Sequence, residues 1–186
     1  MIITLTGFMG CGKSSVGRCL SELLCCPFMD LDSVIEETQG RSIPEIFATD
    51  GEAVFRQMEL EALSQIIEAH QQKDSTVSDS YAAGPSNYDK VVVALGGGAV
   101  MTKECAELVR EKTHCIYLRA TVDTLVSHLE NEADGRPMLQ GASLRARIEE
   151  LMALRSGTYE ATAHDIIDTD GKTIADIATE ILHREV

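Results

Sequence analysis

Positive charge is scarce in this 186-residue chain: 16 Lys and Arg stand against 30 Asp and Glu, a formal charge of -14. A field of that sign repels polyanions, which argues against nucleic acid and anionic membrane surfaces as partners. Salt screens the distant repulsion within about 8–10 Å, so an anion site must be built locally from single Arg and Lys side chains and backbone N–H groups. Long apolar runs are absent too; none approaches the ~20 residues of a membrane-spanning helix. The start, Met1-Ile2-Ile3-Thr4-Leu5-Thr6, lacks the charged region and long apolar stretch of a signal peptide. The cysteines Cys11, Cys19, Cys25, Cys26, Cys105 and Cys115 form no CxxC pair and have no His at zinc-ligand spacing. Neither a zinc site nor a disulfide framework is expected, and the thiols read as small hydrophobes of a reduced, cytoplasmic protein. There is no internal repeat. What is present, 44% hydrophobic and 25% charged residues, describes one soluble globular domain over residues 1–186.

Short β-rich runs alternate with helical patterns, which predicts a parallel sheet covered by helices on both faces. Ile2 to Thr6 reads as the first strand, and a helix is expected from about Lys13 to Leu24, closed by Pro27. Phe28-Met29-Asp30 is a brief second strand. From Asp32 to about His70 the pattern is helical, punctuated by Gly40, Pro44 and Gly51. Gln71 to Lys90 is polar and reads as an exposed loop without chemistry. Val91 to Leu95 and Cys115 to Leu118 are continuous apolar strands, and Ala163 to Ile167 is the fifth. A last helix carries Ile174, Ile177, Ala178, Ile181 and Leu182 at core spacing. The expected architecture is a three-layer α/β/α sandwich around a central five-stranded parallel sheet. Every candidate residue should lie at a strand C-terminus or in an adjoining loop.

Gly7-Phe8-Met9-Gly10-Cys11-Gly12-Lys13-Ser14 matches G-x-x-x-x-G-K-[ST] in full, with an apolar strand before it and a helical pattern after it. Its glycines let the backbone wrap phosphates with consecutive N–H groups, and the helix beginning there adds partial positive charge. ATP is therefore expected against Gly10, Cys11, Gly12, Lys13, Ser14 and Ser15, with Lys13 on the β- and γ-phosphates and the Ser14 hydroxyl on Mg²⁺. Cys11 at a helix N-terminus has two readings: a thiol activated for oxidation, or a loop position without redox role.

The second strand ends Phe28-Met29-Asp30-Leu31-Asp32, and side chains two apart on a strand share a side. Two carboxylates so placed suit a cation or a hydroxyl that must lose its proton. On spacing alone, Asp32 capping the next helix, with Ser33 as a substitute, explains them equally well.

Together these motifs resemble shikimate kinase. The phosphate loop and Asp30-x-Asp32 are followed by Gly40-x-Ser42-Ile43-x-x-Ile46-Phe47 and Gly51-Glu52-x-x-Phe55-Arg56-x-x-Glu59. Gly96-Gly97-Gly98-Ala99-Val100, Arg136-Pro137-Met138-Leu139 and Arg155-x-x-x-Tyr159 complete an ordered set from Thr6 to about Asp168. The resemblance implies transfer of the ATP γ-phosphoryl group to the 3-hydroxyl of shikimate, in aromatic amino-acid biosynthesis, by a cytoplasmic monomer. It implies that Asp32 binds the substrate hydroxyls and orients or deprotonates the attacking one, and that Asp30 helps Ser14 hold Mg²⁺. Arg56 and Arg155 would bind the substrate carboxylate, with Gly97 and Gly98 offering N–H groups. It also implies a substrate-binding segment of about 32–62 and a mobile lid of about 128–141 carrying Arg136, a catalytic and ATP-contacting residue. Planar guanidinium forks suit a carboxylate, although Arg56 could instead pair on a helix surface with Glu52 or Glu59. Many members carry an Arg before the lid that stacks on adenine; His128, Leu129, Glu130 and Asn131 stand here, and none matches. The alternatives are another small metabolite kinase, such as one for gluconate, and a catalytically silent nucleotide-binding module. The N-K-x-D motif of GTPase switches is absent.

Overall fold

The computed structural model describes residues 1–74, 89–130 and 143–184. Five parallel strands form one sheet in the order β2-β3-β1-β4-β5. They are β1 (Ile2–Thr6), β2 (Phe28–Asp30), β3 (Val91–Ala94), β4 (His114–Arg119) and β5 (Asp165–Asp168). β1 pairs with β3 in the register Ile2↔Val91 to Leu5↔Ala94 and with β4 as Ile3↔His114 to Thr6↔Tyr117. The central strands are buried on both faces: Ile3, Leu5, Val92, Val93, Cys115 and Leu118 expose nothing. A side chain of this kind stabilises the fold by roughly 1.5–3 kcal/mol.

Among the described residues seven α-helices lie between the strands, α1 (Lys13–Leu23), α2 (Leu31–Gln39), α3 (Ile43–Thr49), α4 (Gly51–Asp74), α5 (Lys103–Lys112), α6 (Val122–Leu129) and α7 (Leu144–Thr162), and α8 (Ile174–His183) follows the last strand. Local chemistry sets their ends. Gly40 closes α2 at φ 62°, and Ser42 with Glu45 forms a capping box that opens α3. A second box, Thr173 with Asp176, opens α8. The helical pattern expected to stop near His70 runs on to Asp74, so the start of the supposed loop is helix. The remainder of that segment, 75–88, lies outside the described residues.

α1 packs on α8 along one face of the sheet, while α4, α5 and α7 pack together on the other. The connection after β1 therefore leaves on the opposite side from the one after the adjacent β3. Ligands of open α/β sheets bind in the crevice that such a divergence leaves at the strand C-termini. The loops after β1, β2 and β3 all meet there.

Candidate active site

The loop after β1 curls back on itself through backbone that only glycine adopts easily. Gly10 has φ 79°, and Gly12, the N-cap of α1, has φ 95°. A Cβ on Gly10 would strike the buried Leu129 side chain, while His128 Nδ1 lies 2.8 Å from the Gly10 carbonyl. The C-terminus of α6 thus rests against the phosphate loop. Lys13 is buried, with Nζ donating to the carbonyls of Gly7 at 2.9 Å and Phe8 at 3.0 Å. That ammonium is already positioned over the loop, where phosphate oxygens would replace the carbonyls.

Ser14 Oγ donates to Asp30 Oδ2 at 2.5 Å. The pair offers two hard oxygen donors beside the phosphate loop, the kind of set that holds a hydrated Mg²⁺ shared with phosphates. Gly10 to Ser15 line a cleft of about 680 Å³ whose acceptor side is bounded by Asp32 and Gly97. Its far end is bounded by Thr169, Lys172, Thr173 and Ile174, and His128 also lines it.

One sequence reading needs correction here. Asp30 and Asp32 do not project from one strand: Asp30 is the last strand residue and the N-cap of α2, accepting from Asp32 N at 3.2 Å. Asp32 lies in the first helical turn, so helix geometry rather than strand alternation aims it, and it is not the cap. Of the two readings of Cys11, the structure favours the loop position without redox role. Burial pushes its pKa up, outweighing the lowering by the Lys13 charge, so it is not an activated thiolate.

Among the described residues, Asp32 Oδ1 is buried without a hydrogen-bond partner. Burial, and next the Asp30 charge, raise the Asp32 pKa against the lowering effects of Lys13 and Arg56. Glu59, 1% exposed, also leaves Oε1 unpartnered, and burial pushes its pKa up to about 7 despite the Arg56 charge beside it. Both orphan oxygens come within 3 Å of where a Cβ on Gly96 would sit. Two desolvated carboxylates aimed at one spot are costly unless a ligand meets them.

The surface pairing considered for Arg56 does occur: Nη1 donates to Glu59 Oε2 at 2.5 Å and Nη2 to Glu52 Oε1 at 2.8 Å. Only the Glu52 end is at the surface: the Arg56 side chain is 12% exposed and Glu59 1%, against 51% for Glu52. The guanidinium packs flat on Gly98, where a Cβ would fall within 3 Å of three of its atoms. A Cβ on Gly97 would lie 3.2 Å from Met9 N, so the glycine turn touches the phosphate loop. No acceptor among the described residues takes the N–H of Gly97 or Gly98.

Arg155 is buried in the middle of α7, with Nη1 3.4 Å from the Gly97 carbonyl. Arg56 and Arg155 therefore reach the site from helices, not from strand ends or loops as expected. Lys13, Ser14, Asp30, Asp32 and Gly97 line one cleft, and Arg56 and Arg155 adjoin it through the glycine turn, on Gly98 and on the Gly97 carbonyl. Arg136 and most of the expected lid lie outside the described residues.

A sequence profile of the family described as shikimate kinase matches residues 9–78 and 82–185. The chain belongs to the shikimate kinase family. Among its relatives, the shikimate kinase of Zymomonas mobilis is 42% identical over 157 residues, covering 84% of this chain and 78% of the relative. That of Dictyoglomus turgidum is 35% identical over 184 residues, 98% of this chain and 95% of the relative. The solved shikimate kinase from Acinetobacter baumannii, in complex with shikimate, is 30% identical with a TM-score of 0.82, covering 98% of this chain and 91% of that one. A gluconokinase from Sinorhizobium meliloti, 17% identical with a TM-score of 0.51, shares the fold alone.

Sequence reasoning passed over Glu59 as more than a possible partner for Arg56. A Glu three residues after an Arg on a helix looks like any surface pair, and its burial under the glycine turn is a tertiary fact. It also missed Asp170. That carboxylate accepts from Thr121 N at 3.1 Å, Thr121 Oγ1 at 3.0 Å and Thr124 Oγ1 at 2.5 Å, tying the loop at the far end of the cleft to the start of α6.

Proposed function

We propose that this chain is an ATP-dependent shikimate kinase whose acceptor cup is formed by Asp32, Arg56, Arg155 and the Gly97–Gly98 peptide. The observation that carries the reading is the buried Asp32 oxygen, unpartnered among the described residues, near the partly buried Arg56 guanidinium, both against a glycine turn that touches the phosphate loop. This juxtaposition supports a substrate with a carboxylate at one end and a hydroxyl at the other.

In this reading the loop N–H groups from Gly10 to Ser15 and the Lys13 ammonium hold the β- and γ-phosphates and spread the charge of the transferring group. Arg56 and Arg155 grip the substrate carboxylate, and the N–H groups of Gly97 and Gly98, unpaired among the described residues, fix its orientation. Asp32 accepts a hydrogen bond from the attacking hydroxyl at Oδ1 and takes its proton as the new O–P bond forms and the bond from the γ-phosphorus to the β,γ-bridging oxygen breaks, so that ADP leaves with that oxygen. Ser14 and Asp30 would hold Mg²⁺, which neutralises phosphate charge when bound. Arg136 is assigned by family resemblance to close over the phosphates from the lid.

The test is a coupled ADP-release assay with Mg²⁺ and ATP against shikimate, quinate and gluconate. Shikimate should give the highest kcat/KM, with little ATP turnover when no acid is added. A preference for gluconate would reassign the acceptor, and tight ATP binding without turnover on any acid would make this a silent nucleotide-binding module.

A further inference from the structure

We infer that Tyr159 is a positioning residue for shikimate: its buried hydroxyl locks the Gly97–Gly98 peptide so that the Gly98 N–H faces the acceptor carboxylate. The inference rests on the proposed role of that peptide. Tyr159 sits on α7 one turn beyond Arg155, so both side chains leave the same face of the helix. The ring is fully buried, 5.2 Å centroid to centroid from Tyr117, and cannot swing away. Its hydroxyl donates to the Gly97 carbonyl, the acceptor that Arg155 Nη1 also approaches at 3.4 Å.

A trans peptide holds its C=O and the following N–H antiparallel, and the chain contains no cis bonds among its described residues. Anchoring the Gly97 carbonyl toward α7 therefore directs the Gly98 N–H away from α7. A glycine-rich turn has no side chains to hold this orientation and is otherwise free to rotate its peptides. The Tyr159 hydroxyl supplies that restraint. The carbonyl has two lone pairs, so it takes the Tyr159 hydroxyl and the longer Arg155 Nη1 contact together, and the other donors of the guanidinium stay available to a carboxylate.

The experiment compares Tyr159→Phe with Tyr117→Phe, a control that removes a hydroxyl from the neighbouring ring. Initial rates are measured against shikimate and against ATP, with thermal melts of each protein. Loss of one positioning hydrogen bond should raise the Tyr159→Phe KM for shikimate roughly tenfold. The KM for ATP should stay at the wild-type value, and the melting temperature should match that of Tyr117→Phe. An unchanged shikimate KM would overturn the inference. So would a rise in both KM values with a fallen melting temperature, or a Tyr159→Phe protein that fails to fold beside a folded Tyr117→Phe, because the hydroxyl would then serve the fold. A wild-type protein that does not turn over shikimate removes the proposed function itself. An active wild type with an indifferent Tyr159→Phe removes this inference alone.

Discussion

Replacing Gly98 by alanine adds one methyl group and tests whether the acceptor cup depends on a guanidinium packed against bare backbone. The backbone tolerates the change, because Gly98 has φ -117°, open to any L-residue. The side chain does not, since the new Cβ would fall within 3 Å of Arg56 Cζ, Nη1 and Nη2. Ordinary contact begins near 3.4 Å, so the guanidinium must retreat by about 1 Å, and such a misplacement costs on the order of 10²-fold in rate. Losing one or two charge-assisted hydrogen bonds to the substrate carboxylate, at roughly 1.5–3 kcal/mol each, predicts a similar loss in kcat/KM for shikimate. The KM for ATP should not move. The assay is coupled ADP release at varied shikimate, with Gly157→Ala as the control. Gly157 lies exposed within α7 with open space where its Cβ would go, so alanine there should leave activity alone and stabilise by about 0.5–1 kcal/mol. A Gly98→Ala enzyme with wild-type kcat/KM would refute a role for Arg56 at that position.

Three further outcomes follow from the same geometry. Glu59 has its pKa raised from 4.5 to about 7 by burial, so its contribution to stability is full below pH 4.5 and is lost as pH rises through 7. The difference is worth about 3 kcal/mol; thermal melts should show the wild type losing stability relative to Glu59→Gln between pH 5 and 8, and parallel curves would contradict this. Asp170→Ala should unpin the loop at the far end of the cleft, raising the KM for ATP several-fold in steady-state assays with the shikimate KM unchanged; equal effects on both would speak for global destabilisation. Thiol labelling of the folded enzyme, read by peptide mass, should modify exposed Cys25 first and spare buried Cys11, Cys105 and Cys115; early modification of Cys11 would reverse the assignment of a raised pKa.

Much of the fold was legible because its signals are local. Ile2–Thr6 and Phe28–Asp30 are strands with the predicted bounds, and Gly40, Pro44 and Gly51 punctuate the helices where their backbone chemistry requires. Val91–Ala94 is buried on both faces, as an uninterrupted apolar run implies. Less legible were features set by packing across long sequence separations. Strand alternation was the wrong geometry for Asp32, because the capping hydrogen bond from Asp32 N to Asp30 starts the helix one residue earlier than the apolar pattern suggests. The two readings of Cys11 could not be separated by a helix N-terminus alone; burial, which raises the thiol pKa, favours the one without redox role. Arg56 could not be told from a surface ion pair until Gly98 was seen beneath it. The union of Arg155 and Tyr159 with Gly97, some 60 residues earlier, has no periodicity to announce it.

Asp32→Asn is the most direct probe of the mechanism, since it keeps shape and hydrogen bonding while removing the proton acceptor. With saturating Mg²⁺, ATP and shikimate, kcat should fall by about 10²–10⁴-fold while the KM for ATP stays within twofold of wild type. An Asp32→Asn enzyme that phosphorylates shikimate at the wild-type rate would contradict the account at its centre.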